Sequence, residues 1–151
     1  MPDRLSEDAA WAFLADAPVG VFTTLRRDGM PMSFPVWFAV VDRTVCISTR
    51  PGQKKVARLR HDPRASFVAE AGTLAVDLKG VHLTGRVAFV EDPAEIERIA
   101  DALEEKYLDL RTPEEKLPEA YQRRNTGRVL LRLVPDPKVL SWDFSGRYAG
   151  R

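Results

Sequence analysis

The chain has one cysteine and two histidines among its 151 residues. A single thiol, Cys46, excludes an internal disulfide and a thiolate metal site, and its apolar alternating surroundings mark it as a buried strand residue. His61 and His82 stand far apart, without acidic residues at metal-ligand spacing, so a metal enzyme is not expected. No apolar run approaches ~18 residues and no cationic start leads into an apolar stretch, which points to a soluble, cytoplasmic protein without membrane insertion. Excess charge is missing too: 23 Lys and Arg balance 22 Asp and Glu, for a net charge of +1. Nothing global therefore calls for nucleic acid or an anionic membrane. There is no Gly-rich dinucleotide fingerprint and no Walker sequence, which excludes nucleotide binding by those routes. Repeats and low-complexity linkers are also absent, so residues 1–151 read as a single domain, large enough to bury a core without staples.

What the chain does have is a local concentration of charge. Arg50, Lys54, Lys55, Arg58 and Arg60 follow one another with no acid among them, while acids gather between Glu91 and Glu105 and at Glu114-Glu115. The stretch from Ser48 to Pro63 reads as a strand end, a Pro51-Gly52 turn, and a short helix entered at about Gln53 and closed before Asp62-Pro63. In such a layout the Ser48 and Thr49 hydroxyls, the backbone N–H groups of the turn and helix start, and Lys54 and Lys55 converge on one phosphate. Cations in a first helical turn oppose the helix macrodipole by roughly 0.3–1 kcal/mol each, a conflict that a bound anion relieves. The same residues also describe an ordinary solvated helix face, with Val56 and Leu59 packing inward, and the sequence leaves both readings open.

The remaining elements follow closely. Ser6 caps a first helix whose Ala10, Trp11, Phe13 and Leu14 form an apolar face ending before Pro18. Val19 to Leu25 and Met32 to Val41 form a hairpin around Arg27-Asp28-Gly29, and Thr44 to Thr49 is a third strand. After the cationic helix come a strand at Ala65 to Glu70 and a long one from Leu74 to Val90, with Gly80 and Gly85 permitting a bend. Pro93 opens a helix through about Leu108, a shorter helical patch follows Pro113, and two strands, Arg128 to Val134 and Lys138 to Phe144, flank Pro135-Asp136-Pro137. Six or seven antiparallel strands around one long intervening helix argue for a mainly β fold with flanking helices, a small barrel rather than alternating βαβ units.

The order of these elements and their residues resemble the pyridoxamine 5'-phosphate oxidase-like split β-barrel flavoproteins, and within them the actinobacterial flavin and deazaflavin oxidoreductases. Val21-Phe22-Thr23-Thr24-Leu25 with Asp28-Gly29 and Pro31 resembles that family's first hairpin. Pro35-Val36-Trp37-Phe38 resembles the strand along the flavin ring, and Thr49 with Lys54-Lys55, Leu59 and Asp62-Pro63 the phosphate-binding strand end and helix. Gly85-Arg86-Val87 and Glu91-Asp92-Pro93 are similar to the central strand and the start of the packing helix.

The resemblance implies a cofactor held by Pro35, Val36, Trp37 and Phe38 along its ring and by Ser48, Thr49, Arg50, Gln53, Lys54 and Lys55 at its phosphate. The vitamin oxidases end in an Arg-Leu-His signature, whereas this chain ends in Val139-Leu140-Ser141-Trp142-Asp143-Phe144, and Ser33 and Phe38 stand where those enzymes carry cations. The vitamin reaction is therefore not expected. Coenzyme F420, a 5-deazaflavin with a longer anionic tail, is the first choice of cofactor, because the basic helix runs on to Arg58 and Arg60; FMN is the alternative. The implied activity is hydride transfer between the reduced deazaflavin and a small electrophilic substrate. His82 and Tyr107 are the candidate proton donors, and Trp37 is either a wall of the site or a core aromatic. The family also implies a homodimer, with Trp142 or residues near Asn125-Thr126-Gly127 reaching the partner's site. A non-enzymatic carrier of flavin, deazaflavin or haem is the competing reading.

Overall fold

The structure, a computed structural model, describes residues 3–119 and 127–147. Asn125 and Thr126 lie outside them. Among the described residues, eight antiparallel strands and three α-helices follow in the order α1 (Glu7–Asp16), β1 (Gly20–Leu25), β2 (Pro31–Val36), β3 (Ala39–Val41), β4 (Thr44–Thr49), α2 (Lys54–His61), β5 (Arg64–Ala71), β6 (Lys79–Phe89), α3 (Pro93–Tyr107), β7 (Val129–Pro135) and β8 (Leu140–Asp143). One more strand is present than the sequence suggests, because Met32 to Val41 does not run on as one strand: Trp37 and Phe38 interrupt it and leave β2 and β3 in different parts of the sheet.

The hydrogen-bonded order is β2-β1-β5-β6-β7-β4-β3, with β8 also on β6. The two end strands, β2 and β3, are consecutive in the chain and joined by Trp37 and Phe38 alone. A link that short spans at most ~11 Å from Val36 to Ala39, so the sheet has to curl almost fully round on itself. The result is a split barrel with a seam at Trp37-Phe38.

β6 is the spine. One edge pairs with β5 from Lys79 to Arg86; the other pairs with β8 from Lys79 to His82 and then with β7 from Gly85 to Phe89. The change of partner falls at Leu83-Thr84, where the Asp136 N–H donates to the Thr84 carbonyl (2.8 Å) and the Thr84 hydroxyl to the Asp136 carboxylate (2.6 Å). The last two strands are thus not paired with each other but lie one after the other along β6. Gly85 is required by close approach: a Cβ there would lie 2.0 Å from the Val134 carbonyl oxygen.

Strand alternation sends Phe22 of β1, Val45 and Ile47 of β4, Phe67 and Ala69 of β5, Leu83 and Val87 of β6, and Leu131 and Leu133 of β7 inward. α1, capped by the Ser6 hydroxyl accepting from the Ala9 N–H (3.1 Å), inserts Trp11 and Leu14 into the same core. Phe38 and Phe67 meet edge to face at 4.6 Å between centroids, a pairing worth about 0.5–1.5 kcal/mol beyond the area they bury. α3, entered through the Asp92 cap and Pro93, lays Ile99, Leu103 and Tyr107 against Ala39, Val41, Cys46 and Leu130 to form a second, smaller core. No described helix is long and apolar enough to cross a membrane.

Candidate functional site

β4 ends at Thr49 and the chain turns at once, the Gln53 N–H closing on the Arg50 carbonyl (3.2 Å) before α2 begins. Gln53 holds the cap position with an extended backbone but gives no side-chain cap bond, and the first turn contains no acid. The first N–H groups of α2 are therefore not met by a capping side chain, and Lys54 and Lys55 add positive charge where the helix dipole is already positive. Val56 and Leu59 are buried and fix this helix against the barrel, its cations facing outward.

Two adjoining clefts open around this turn. One, of about 230 Å³, lies at the barrel seam between Pro35, Val36 and Trp37 on one side and Ile47, Ser48, Thr49, Arg50, Gln53 and Lys55 on the other, with Arg128 at its margin. The other, of about 680 Å³, shares Pro35, Gln53 and Lys55 and adds Phe34, Gly52, Lys54 and Arg58. No carboxylate is among the described residues that line either.

The electrostatics reflect that imbalance. Burial, and then the nearby guanidinium groups of Arg128 and Arg58, hold the Lys55 ammonium below its ordinary value. Arg128 is lowered for the same reasons, by burial and then by Arg50 and Arg111. Arg128 is fixed by donating from Nε to the Ser48 hydroxyl (2.6 Å) and from Nη2 to the Ser48 carbonyl (2.8 Å). These cations lie close enough to depress one another, next to a helix start without a side-chain cap.

The other wall is built by the seam. Trp37 remains 43% exposed, with one ring face stacked on Tyr107 at 4.3 Å between centroids and 1° between planes. The Tyr107 hydroxyl accepts from the Phe38 N–H (2.9 Å) and lies 2.9 Å from both the Pro18 and Phe38 carbonyl oxygens. Lys106, its neighbour, sets Nζ 3.8 Å above the Phe38 ring.

A family model described as pyridoxamine 5'-phosphate oxidase matches residues 6–137. The chain belongs to this family. Among solved structures it is similar to the conserved hypothetical protein Rv2991 from Mycobacterium tuberculosis, at 31% identity and a TM-score of 0.82, covering 99% of this chain and 92% of that one. Two further neighbours in fold are an FAD binding protein from Mycobacterium smegmatis (21% identity, TM-score 0.68, 93% and 98% covered) and HutZ, the haem storage protein from Vibrio cholerae (13%, 0.69, 90% and 94%). Among curated proteins no sequence matches it.

Of the residues that the oxidase-family resemblance nominates, the structure brings Pro35, Val36, Trp37, Ser48, Thr49, Arg50, Gln53 and Lys55 together in the seam cleft, with Lys54 in the adjoining one. Phe38 is not with them. The seam turns its side chain into the core, fully buried against Phe67, and its N–H and carbonyl both bond the Tyr107 hydroxyl. Tyr107 is likewise buried behind Trp37, and burial raises its hydroxyl above the usual phenol value; it is not placed as a proton donor. His82 sits in mid-strand on β6, opposite Val68 and Leu140, and lines neither cleft. Trp142 is opposite Gly80, where a Cβ would lie 2.2 Å from its ring, so it packs on its own chain. Arg58 reaches the larger cleft, but Arg60 points elsewhere, over the Phe89 ring at 4.1 Å.

Arg128 is the residue that sequence reading missed. It stands 80 positions from Ser48, and only the β4–β7 register, with Thr49 opposite Val129, places it at the site. The available signal was an arginine entering a strand that ends up antiparallel to the cleft-forming one.

Proposed function

We propose that this chain binds a flavin-type cofactor in the seam cleft, with the anionic end on Ser48, Thr49, Arg50, Gln53, Lys55, Arg128 and the start of α2 and the ring against Trp37, and that it acts as an oxidoreductase. The observation that carries the reading is the cation cluster at a helix start, with no carboxylate among the described residues that line either cleft. Coenzyme F420 is the preferred cofactor and FMN the alternative. The adjoining cleft with Lys54 and Arg58 suits an anionic tail longer than one phosphate, although exposed cations contribute only about 0–1 kcal/mol each. Two similar structures are described as FAD-binding proteins, and a diphosphate would draw on the same surplus of positive charge.

A bound deazaflavin or flavin supplies hydride transfer at its ring. The chain's own part is to neutralise the anionic end, to hold Trp37 as one wall, and to leave the opposite side open to a small electrophilic substrate. Among the described residues no histidine, tyrosine or carboxylic acid lines the clefts, and of these Lys55 and solvent are the proton sources at hand. That same scarcity is what favours a carrier of the cofactor as the second reading. A haem carrier is the weaker form of it, since His82 lines neither cleft.

A homodimer belongs to this proposal. β2 is an end strand of the sheet, and Met30, Phe34 and Trp37 are 53%, 46% and 43% exposed around it. A second copy covering that rim would bury apolar surface beside the cleft and could narrow its open side. Sedimentation equilibrium with and without cofactor tests it, a dimer being expected and a monomer at micromolar concentration overturning it. Turnover is tested by mixing reduced F420 with quinones and nitroaromatics: oxidation accelerated by the protein supports the enzyme, and tight binding without acceleration supports the carrier.

A further inference from the structure

The barrel seam carries no strand pairing between β2 and β3, yet it forms one wall of the cleft. Something else has to hold the Trp37-Phe38 link, and the described contacts identify it. Tyr107, the last residue of α3, is 1% exposed and places its hydroxyl among three backbone groups: it accepts from the Phe38 N–H and shares its proton between the carbonyls of Pro18 and Phe38, all at 2.9 Å. Its ring lies flat on the Trp37 indole, 1° from parallel. One side chain thus ties the entry of β1 to the seam and fixes the plane of the residue that faces the cleft.

The arrangement is more specific than core packing needs. A leucine or phenylalanine would fill the space between α3 and the sheet, where Ile99 and Leu103 already do so. Only a phenol both satisfies the Phe38 N–H, which has no strand partner, and offers a flat face to Trp37. Trp37, 43% exposed, would otherwise have several rotamers open to it.

We infer that Tyr107 is a positioning residue for the cofactor cleft: it acts through Trp37, setting the indole plane against which a ring would lie. The inference rests on the seam cleft being the binding site proposed above, but its first readout does not. In the ligand-free protein, Tyr107→Phe should move and broaden the Trp37 indole N–H resonance, assigned through Trp37→Phe, while leaving that of Trp142 in place. An unmoved Trp37 resonance in the folded variant overturns the inference whether or not a cofactor binds.

The second readout is a double-mutant cycle on the affinities for FMN and F420. Tyr107→Phe should weaken binding about 5–10-fold in the natural background and by less than twofold when Trp37 is already alanine. Equal losses in both backgrounds mean that Tyr107 acts by general stability, which also overturns it. If Tyr107→Phe does not fold, the natural protein labelled with 3-fluorotyrosine replaces it: cofactor addition should shift the Tyr107 fluorine signal, because its ring contacts the wall and not the ligand. A silent Tyr107 signal on saturation with a cofactor that binds is the contrary result. Failure of both cofactors to bind defeats the site proposal and leaves the ligand-free resonance to decide this one.

Discussion

Replacing Lys55 by methionine should raise the stability of the ligand-free protein and lower its affinity for cofactor. Lys55 is the second residue of α2, partly buried, with its ammonium held down by burial, by Arg128 and by Arg58. Methionine has nearly the same helix propensity and length, so the change removes the charge and little else. Relief of the macrodipole conflict alone is worth roughly 0.3–1 kcal/mol, and easing the repulsion from two guanidinium groups adds to it. A gain of about 1 kcal/mol is therefore expected in urea denaturation, read as a higher midpoint at unchanged slope. In the proposed complex the same ammonium would make a charge-assisted bond worth about 1.5–3 kcal/mol, so Kd for the anionic cofactor should rise about 10- to 150-fold. Opposite signs for the two effects are the signature of a site built for an anion. Loss of stability in the ligand-free protein, or an unchanged Kd, would refute the reasoning.

Gly85→Ala should cost about 2–4 kcal/mol in chemical denaturation, because the new Cβ would fall 2.0 Å from a backbone carbonyl that cannot move without breaking the β6–β7 register; a loss below ~1 kcal/mol would show that the register adapts. Phe38→Ala should lose roughly 3–5 kcal/mol as a core residue, and a purely functional effect at full stability would contradict its burial. Lys106 supplies a test in pH. Burial lowers its ammonium to about 8, partly opposed by Asp16, and its Nζ is buried without a hydrogen-bond partner among the described residues. The unfolded chain therefore holds one more proton than the folded one between about pH 8 and the ordinary lysine value of 10.5, so this group makes stability rise with pH across that window. Lys106→Met should remove that rise and stabilise the protein at pH 7 by on the order of 1–2 kcal/mol, once partial exposure is allowed for; an unchanged pH profile refutes the assignment.

What could be read from the sequence follows the range of the interactions involved. The strand end, Pro-Gly turn and cationic helix from Ser48 to His61 were legible because each signal is local: hydroxyls, a turn pair, two inward apolar residues three apart. The α3 start at Asp92-Pro93 was legible for the same reason. The seam was not. Met32 to Val41 carries a continuous strand composition, and only closure of the sheet on itself shows that Trp37 and Phe38 have to face opposite surroundings. Strand alternation says that two neighbours differ, but not which of them faces the cleft. Tyr107 offered itself as a proton donor because a phenol near the end of a helix has no address in sequence; its three backbone partners come from two distant segments. Arg128 needed the pairing of β4 with β7, a contact that no short pattern encodes.

The central claim is that the seam cleft takes an anionic flavin-type cofactor, with the deazaflavin preferred. A side-by-side calorimetric titration of the protein with F420, FMN and FAD at moderate and at high salt tests it most directly. Binding should be tightest for F420 and weaker for FMN, with affinities that fall as salt screens the partly exposed cations. Binding of none of the three, or binding that Lys54→Ala with Lys55→Ala leaves intact, would contradict it.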